Sequence, residues 1–252
     1  MNWNFKKLLI PPAIVLILFL SWCVPFFRTY WNALDSFTFY SLNTWVQESS
    51  FWQNFWAFLG TRTMDWIHDG FMFLFFFFSI KKATQSLKAR KIAEMICTIF
   101  VMALTICLVN GIMFPEFIHV PRKSPTMVDK EAFRLSSVIE WTKVKDHSRK
   151  SFPGDHATTA VLFTCFIYHL MGWRLGIVAT VYAILFCLPR LIVGAHWLTD
   201  ILLGSSLIAI SMSSLVMGTP IGNFLIQLFE KGILKIKQRF TSGSYPPSKL
   251  SS

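Results

Sequence analysis

Charged residues are scarce in this sequence. Asp, Glu, Lys and Arg make up 15% of its 252 residues, whereas 54% are hydrophobic, with 26 Phe and 10 Trp. A soluble domain of this size carries more charge, so the composition predicts an integral membrane protein. The predicted fold is all-α, a single domain over 1–252 built as a bundle of six transmembrane helices. Six apolar runs are long enough, with their flanking residues, to cross the hydrocarbon core, at 8–27, 66–80, 92–113, 157–172, 175–189 and 198–217.

The sequence has no evident signal-peptide cleavage site after its first apolar run, and its number of cysteines is odd. Ser21-Trp22-Cys23 is too bulky for a signal-peptide cleavage site, so the first apolar run is predicted to remain as a span. The five cysteines all fall within predicted spans and are expected as small core residues rather than a disulfide framework. The aromatic stretch 51–59 is too short to span, and it fits an interfacial helix.

Acidic residues are the rarer charge, with 13 Asp and Glu against 24 Lys and Arg. Basic residues gather at the N-terminus, after the second and fourth spans and in the C-terminal segment, which predicts that these regions are cytoplasmic. The stretch 220–240 alternates apolar and charged residues, as in an amphipathic helix on the cytoplasmic leaflet. A flexible tail is predicted over 241–252.

The loop 114–156, between the third and fourth spans, breaks this charge trend. It lies on the predicted external side and carries eight basic residues, which suggests that its charges hold an anion. The net charge is +11, and the basic residues that cause it are divided between this loop and the regions predicted to be cytoplasmic. Lipid phosphate is therefore the expected partner, and nucleic acid is not.

Arg190, His196 and Asp200 stand within an otherwise apolar stretch. Ionisable side chains at membrane depth usually mark a functional site. On a helix, His196 and Asp200 would share a face, and the carboxylate would fix the imidazole tautomer while the other nitrogen attacks phosphorus. An interfacial histidine beside a helix-terminal carboxylate is the alternative, but it leaves Arg190 unexplained.

A second histidine, His156, opens the fourth span behind Ser151, Gly154 and Asp155. Two spans separate it from His196, so both regions lie on one face of the membrane. His156 would be placed to protonate a leaving oxygen, and the helix N-terminus near Gly154 would supply amide donors for phosphate. Asp155 is more natural as a helix N-cap than as a catalytic residue.

Arg122 and Lys123 are the predicted phosphate-binding pair of the external loop, because guanidinium and ammonium groups suit phosphoryl oxygens. A solvated basic patch is the alternative reading. Arg149 and Lys150 are weaker candidates for similar contacts, as is Ser151. A further polar group at the outer end of the second span either touches a head group or caps the helix, and it comprises Arg62, Asp65, His68 and Asp69.

These residues resemble the motifs of the type 2 phosphatidic acid phosphatase superfamily, which shares its fold with vanadium haloperoxidases. The family's third motif is Arg, five residues, His, three residues, Asp, and Arg190, His196 and Asp200 fit it without a gap. Its second motif, Pro-Ser-Gly-His, is matched loosely by Pro153-Gly154-Asp155-His156. In its first motif Arg122 takes the arginine position, whereas the expected lysine position holds Pro115.

The Gly-Asp-His form of the second motif resembles one branch of that superfamily, the lipid A 1-diphosphate synthases of Gram-negative bacteria. This resemblance implies a cofactor-free, metal-independent phosphotransfer at the periplasmic face of the inner membrane, from undecaprenyl diphosphate to the 1-phosphate of lipid A in lipopolysaccharide. It implies a phosphohistidine on His196, oriented by Asp200, with His156 protonating the leaving group. The resemblance also implies that three residues neutralise the phosphoryl oxygens: Arg122, Lys123 and Arg190.

Two other functions stay open. Water could resolve the same phosphohistidine, which would make the protein a lipid diphosphate phosphatase. A non-catalytic lipid-binding or transport protein is a further alternative, but it predicts polar residues spread through the midplane of several spans. In this sequence the ionisable groups gather at one face.

Overall fold

The computed structural model describes residues 3–118 and 120–242, and it contains helices but no strand within those ranges. The all-α prediction is therefore confirmed for the described residues. Two π-helices, Ile106–Ile118 and Asp200–Ser205, and a 3-10 turn, Leu135–Ser137, accompany the α-helices. In chain order the α-helices are α1 (Phe5–Cys23), α2 (Pro25–Gln47), α3 (Ser50–Leu59), α4 (Arg62–Lys82), α5 (Lys88–Thr105), α6 (Pro125–Val128), α7 (Asp155–Met171), α8 (Trp173–Ile192), α9 (Ser206–Gly218) and α10 (Pro220–Ser242).

Four helical segments are long and apolar enough to cross a membrane, and each contains or overlaps a predicted span. The predicted runs 66–80 and 157–172 are also helical, within α4 and α7. Neither helix is both long and apolar enough to qualify. Helix α7 has only 17 residues, and α4 begins with a charged turn. Six spans therefore stay a prediction. The four qualifying segments are Phe5–Cys23, Lys88–Met113, Trp173–Ile192 and Asp200–Gly218.

Helix α2 was not anticipated from the sequence. Its buried residues Asp35, Phe39, Asn43 and Val46 recur at helical spacing along one face. Two of these four are polar, so the face does not read as an apolar stripe. Asn43 is paired with the backbone of Phe133, since its amide nitrogen donates to the carbonyl and its oxygen accepts from the N–H, both at 2.9 Å.

The core of the bundle lies around α7, which packs along α8 and α9. Phe163 of α7, Phe76 of α4 and Phe186 of α8 are buried in one cluster. Helix α1 packs against α9, and α10 packs against α5. Large apolar side chains such as Phe77 and Ile184 point outward, which suits contact with lipid and agrees with a membrane protein.

The sequence also predicts two surface helices and a C-terminal tail. Both helices are present, and most of the tail lies outside the described residues. The predicted interfacial helix at 51–59 coincides with α3, and the amphipathic helix at 220–240 coincides with α10. Their positions at a membrane surface stay predictions. Of the predicted tail, 241 and 242 end α10, and 243–252 lie outside the described residues.

Candidate active site

A cavity of about 380 Å³ brings together the two histidine-bearing regions. His156 and His196 both line this cavity, whereas their location on one face of the membrane stays a prediction. Three further lining residues form what we call the basic rim: Lys145, Arg149 and Lys150. The other walls come from Val120, Pro121, Ser148, Phe152, Pro153, Asp155, Arg190 and Ala195.

His196 lies in the turn between α8 and the second π-helix rather than on a helix. Its Nδ1 is 2.7 Å from the carbonyl oxygen of Ser151 and 3.7 Å from Oδ2 of Asp200. A carbonyl only accepts, so Nδ1 carries the proton and Nε2 keeps its lone pair. The sequence predicted Asp200 as the partner that fixes this tautomer, but the hydrogen bond goes to Ser151.

Asp200 belongs instead to a group that we call the buried cluster: Asp35, Arg122, Thr199 and Asp200. Nη1 of Arg122 lies 2.5 Å from Asp200, and Nη2 lies 2.5 Å from Asp35 of α2. Thr199 donates to Asp35 from its N–H at 2.9 Å and from its hydroxyl at 2.6 Å. Both carboxylates are at least 98% buried, with exposures of 2% and 0%. The cluster ties α2 and the external loop to the start of the second π-helix.

Arg122 and Lys123 therefore do not stand where the sequence predicted. Neither lines the cavity; both line a separate recess that also includes Trp197. Arg122 is turned inward because two buried carboxylates hold its guanidinium, and the carbonyl of Lys123 accepts from the Trp197 indole at 2.8 Å. Arg122 thus positions Asp200, which in turn accepts from the Trp197 N–H at 2.8 Å.

A second arginine-centred group, which we call the cavity cluster, consists of Asp65, His156 and Arg190. Nη2 of Arg190 donates to both carboxylate oxygens of Asp65, at 3.0 and 3.2 Å, and lies 3.2 Å from Nε2 of His156. That nitrogen is also 3.3 Å from Asp65 Oδ2. Arg190 and His156 face the cavity, as predicted, whereas Asp65 does not line it.

The basic rim supplies the positive charge that the sequence had assigned to Arg122 and Lys123. Arg149 and Lys150 were the weaker candidates, and Lys145 was not named as a site residue. The exposed rim side chains can approach an anion in the cavity from its open side.

Asp146 fixes the loop beneath the rim. It is fully buried and accepts from the N–H of Ser136 at 2.9 Å and from His147 Nδ1 at 3.1 Å. Burial alone would raise the pKa of Asp146, but these hydrogen bonds and the nearby Arg134 together hold it below its ordinary value. Its backbone carbonyl also accepts from the hydroxyl of Thr126. These bonds hold the rim in place.

The second-motif residues Ser151, Gly154 and Asp155 also depart from their predicted roles. Ser151 is buried and its hydroxyl donates to the Arg122 carbonyl at 3.2 Å, so it acts on His196 through its own carbonyl. Gly154 is the N-cap of α7, and its N–H donates to Ser205 Oγ at 3.2 Å rather than facing the cavity. Asp155 is the first helical residue instead of the cap, where its charge suits the helix dipole.

Two glycines lie close to the turn that carries His196, and a side chain would be blocked at the second of them, Gly194. A Cβ on Gly154 would lie 3.4 Å from Cε1 of His196. Gly194 has a φ of +76°, and a Cβ there would lie 2.6 Å from Thr126 and 2.8 Å from Phe39. Because most residues avoid this left-handed conformation, glycine is required at the turn that presents His196.

The described residues contain no group of three or more His, Cys, Asp or Glu side chains that could hold a metal ion. The independence of the reaction from metal stays a prediction.

His196, His156 and Arg190 surround a basic cavity, as the motifs of the phosphatase superfamily would require. A comparison with known protein families supports this membership. Residues 94–223 match the model of the PAP2 superfamily, which is the type 2 phosphatidic acid phosphatase superfamily. The chain belongs to this superfamily, so the predicted resemblance is confirmed. It is a membrane enzyme of the phosphatase or phosphotransferase type that acts on lipid.

One relative is similar to the chain over most of its length. The chain is 30% identical over 233 residues to the lipid A 1-diphosphate synthase of Escherichia coli (strain K12), a match that covers 91% of this chain and 94% of the relative. No solved structure matches the chain. Asp35 and Asp65 both precede the residues that match the family model, so the family motifs could not reveal them.

Proposed function

We propose that the protein transfers the terminal phosphoryl group of undecaprenyl diphosphate to the 1-phosphate of lipid A, through a phosphohistidine on His196. The observation that carries the proposal is the 2.7 Å contact between His196 Nδ1 and the Ser151 carbonyl. It leaves the lone pair on Nε2, in a cavity shared with His156, Arg190 and the basic rim. The relative's name supplies the lipid A product.

In the first step, Nε2 of His196 attacks the terminal phosphorus of the donor. A P–N bond forms, and the bond from phosphorus to the bridging oxygen breaks. His156 gives a proton to that oxygen, so undecaprenyl phosphate leaves in its protonated form. Arg190 and the basic rim stabilise charge on the phosphoryl oxygens, which is the main help that phosphoryl transfer needs.

In the second step, an oxygen of the lipid A 1-phosphate attacks the phosphorus of phosphohistidine. The P–N bond breaks, a diphosphate forms on lipid A, and His196 is restored. His156, which has lost its proton, takes one from the acceptor phosphate. The same residues thus act as acid and then as base, and the carrier lipid is recycled without a metal or other cofactor.

The cavity faces the periplasm in this proposal. The charge distribution supports that orientation, with basic residues at both termini and in the loops after α4 and α7 assigned to the cytoplasm. The protein would lie in the bacterial inner membrane with six spans, including α4 and α7. The donor and acceptor lipids both present phosphate groups at this external face.

The experiment supplies the purified protein with undecaprenyl diphosphate labelled on its terminal phosphate, with and without lipid A, in a metal chelator. We expect label on lipid A in the wild type and none with His196→Gln. Release of free phosphate alone would instead identify a lipid diphosphate phosphatase. Loss of activity in chelator would contradict the metal-independent mechanism, and lipid movement without phosphate chemistry would support transport.

A further inference from the structure

Asp65 is a charged residue that the family motifs leave without a role. It lies in the first turn of α4, far from the matched residues in sequence, yet it contacts both cavity-facing members of its cluster. Its own side chain is outside the cavity wall. Asp65 can therefore influence an anion in the cavity through its contacts with Arg190 and His156.

The pairing with Arg190 has a structural explanation on its own. The Arg190 side chain is 8% exposed, and a buried guanidinium needs a counterion. Asp65 accepts from it at 3.0 and 3.2 Å, and the carbonyl of Gly60 lies 3.4 Å from its other terminal nitrogen. If this were all, Asp65 would stabilise the fold and nothing more.

The contact with His156 adds a chemical consequence. Oδ2 of Asp65 lies 3.3 Å from Nε2 of His156, while Arg190 can only donate and so cannot accept a proton from that nitrogen. In the imidazolium form, the Nε2–H is therefore directed to Asp65. The second N–H, on Nδ1, is then the one available for transfer to a leaving oxygen at the cavity.

We propose, on the basis of the phosphohistidine mechanism above, that Asp65 is a positioning residue which orients His156 for proton donation to the leaving lipid phosphate. One carboxylate thereby couples the acid to the arginine that holds the phosphoryl group. His156 and His196 are then arranged alike, since a protein oxygen engages one nitrogen of each ring and leaves the other for the reaction.

The charge around His156 comes from several elements. Asp65, His68 and Asp69 approach from α4, and Arg190 approaches from α8. Across the cavity lie His196 and the basic rim, and Asp155 precedes His156 in α7. Among these neighbours, Asp65 is the carboxylate whose oxygen lies 3.3 Å from Nε2 of His156.

The test measures single-turnover labelling of His196 from labelled undecaprenyl diphosphate as a function of pH. With Asp65→Asn we expect the labelling rate constant to fall about 10- to 100-fold, with the KM for the donor changed by less than about threefold. The pH profile of the labelling rate constant should also differ from that of the wild type, because Asp65→Asn removes the carboxylate that contacts the imidazole ring. Asp65→Glu keeps the charge and should restore part of the rate.

Asp69→Asn is the matched control. It removes a carboxylate one turn further along α4, and Asp69 forms no ion pair within the described part of the chain. Because Asp69 approaches His156 without forming an ion pair with it, the rate constant and pH profile of this variant should change much less than those of Asp65→Asn. The amount of label at completion reports the fraction of folded enzyme separately from the rate.

A purely structural Asp65 would give a different result. Asp65→Asn would then lower the amount of label and the thermal stability, but the rate constant and pH profile of the active fraction would be unchanged. That outcome would overturn the inference while leaving the proposed function intact. Failure of the wild type to form any phosphohistidine would overturn the proposed function itself, and the role of Asp65 with it.

Discussion

The buried cluster and the cavity cluster are built from similar parts but are placed differently. In each, an arginine pairs with an aspartate from a helix that precedes the family-matched residues, Asp35 for Arg122 and Asp65 for Arg190. Arg122 is held by a second buried carboxylate, Asp200. Arg190 instead shares its single carboxylate with a histidine, at the wall of a cavity.

This difference shows that residue type and motif position do not determine the role of an arginine. The guanidinium of Arg122 donates to two carboxylates and a threonine hydroxyl, so three of its five N–H donors are directed to groups inside the protein. Arg190 retains a face toward the cavity, where an incoming phosphate adds to the cluster instead of competing with two buried anions. In the proposed mechanism, the buried cluster has a structural role, whereas the cavity cluster takes part in the reaction.

The largest effect should come from the acid of the cavity cluster. His156→Gln removes the proton donor but keeps a side chain of similar polarity, and we expect the transfer rate to fall about 10²- to 10⁴-fold. Thermal stability should change little, because His156 is part-exposed. His169→Gln, near the other end of α7, serves as the control and should keep the wild-type rate. A wild-type rate for His156→Gln would remove the distinction between the clusters.

The buried cluster should respond in stability. Arg122→Gln leaves Asp35 and Asp200 without their cation, and breaking a buried pair costs about 3–5 kcal/mol of unfolding free energy. Unfolding in detergent micelles measures this loss. Arg134→Gln is the control, since its pair with Asp146 spans 3.6 Å and its side chain is 43% exposed, so the loss should be at most about 1 kcal/mol.

Arg122→Gln also tests whether Arg122 binds phosphate instead of stabilising the buried cluster. If the variant were as stable as the wild type but had a raised KM for the donor, Arg122 would bind phosphate as the sequence predicted. The assignment of Arg122 to the buried cluster would then be wrong.

A smaller effect is expected at the turn that joins the two clusters. Gly194→Ala places a Cβ against Thr126 and Phe39 at a φ of +76°, and such strain costs about 1–3 kcal/mol. The displaced turn should also slow phosphorylation of His196. Gly232→Ala in α10 is the control, because no atom lies within 4 Å of its Cβ; helix propensity predicts a slight gain in stability there. Equal stability of the two variants would contradict the required turn.

The smallest expected effect concerns Asp146 under the basic rim. Its pKa is held below the ordinary value, so the ionised carboxylate stabilises the folded state above the unfolded pKa of about 3.9. That contribution is lost as pH falls through the folded pKa. Asp146→Asn should therefore be about 1 kcal/mol less stable than the wild type at pH 7, with the difference shrinking in acid. A difference that grows in acid would reverse the assigned sign.

The sequence predicted the helical fold and several cavity residues because both depend on local patterns. Apolar runs of sufficient length mark helices, the spacing of Arg190 and His196 matches the third family motif, and His156 falls in a loose match to the second. The partners of the arginines could not be predicted in this way. Asp35 lies 87 residues from Arg122, and Asp65 lies 125 residues from Arg190. Only tertiary packing brings them together.

Helix α2 was missed for a related reason. Its inner face carries Asp35 and Asn43, so the buried side is polar where a sequence pattern would require apolar residues. Without α2 there was no visible partner for Arg122. The motif position then indicated a phosphate ligand, and the weaker candidates Arg149 and Lys150 were ranked below it.

The most direct test of the central claim is to trap the enzyme during turnover of labelled undecaprenyl diphosphate and to locate the label by mass spectrometry under alkaline conditions. We predict a phosphoryl group on His196 that is lost in acid, that passes to added lipid A, and that is absent from His196→Gln. Transfer to lipid A with no phosphorylated intermediate, or with the label on another residue, would contradict the account.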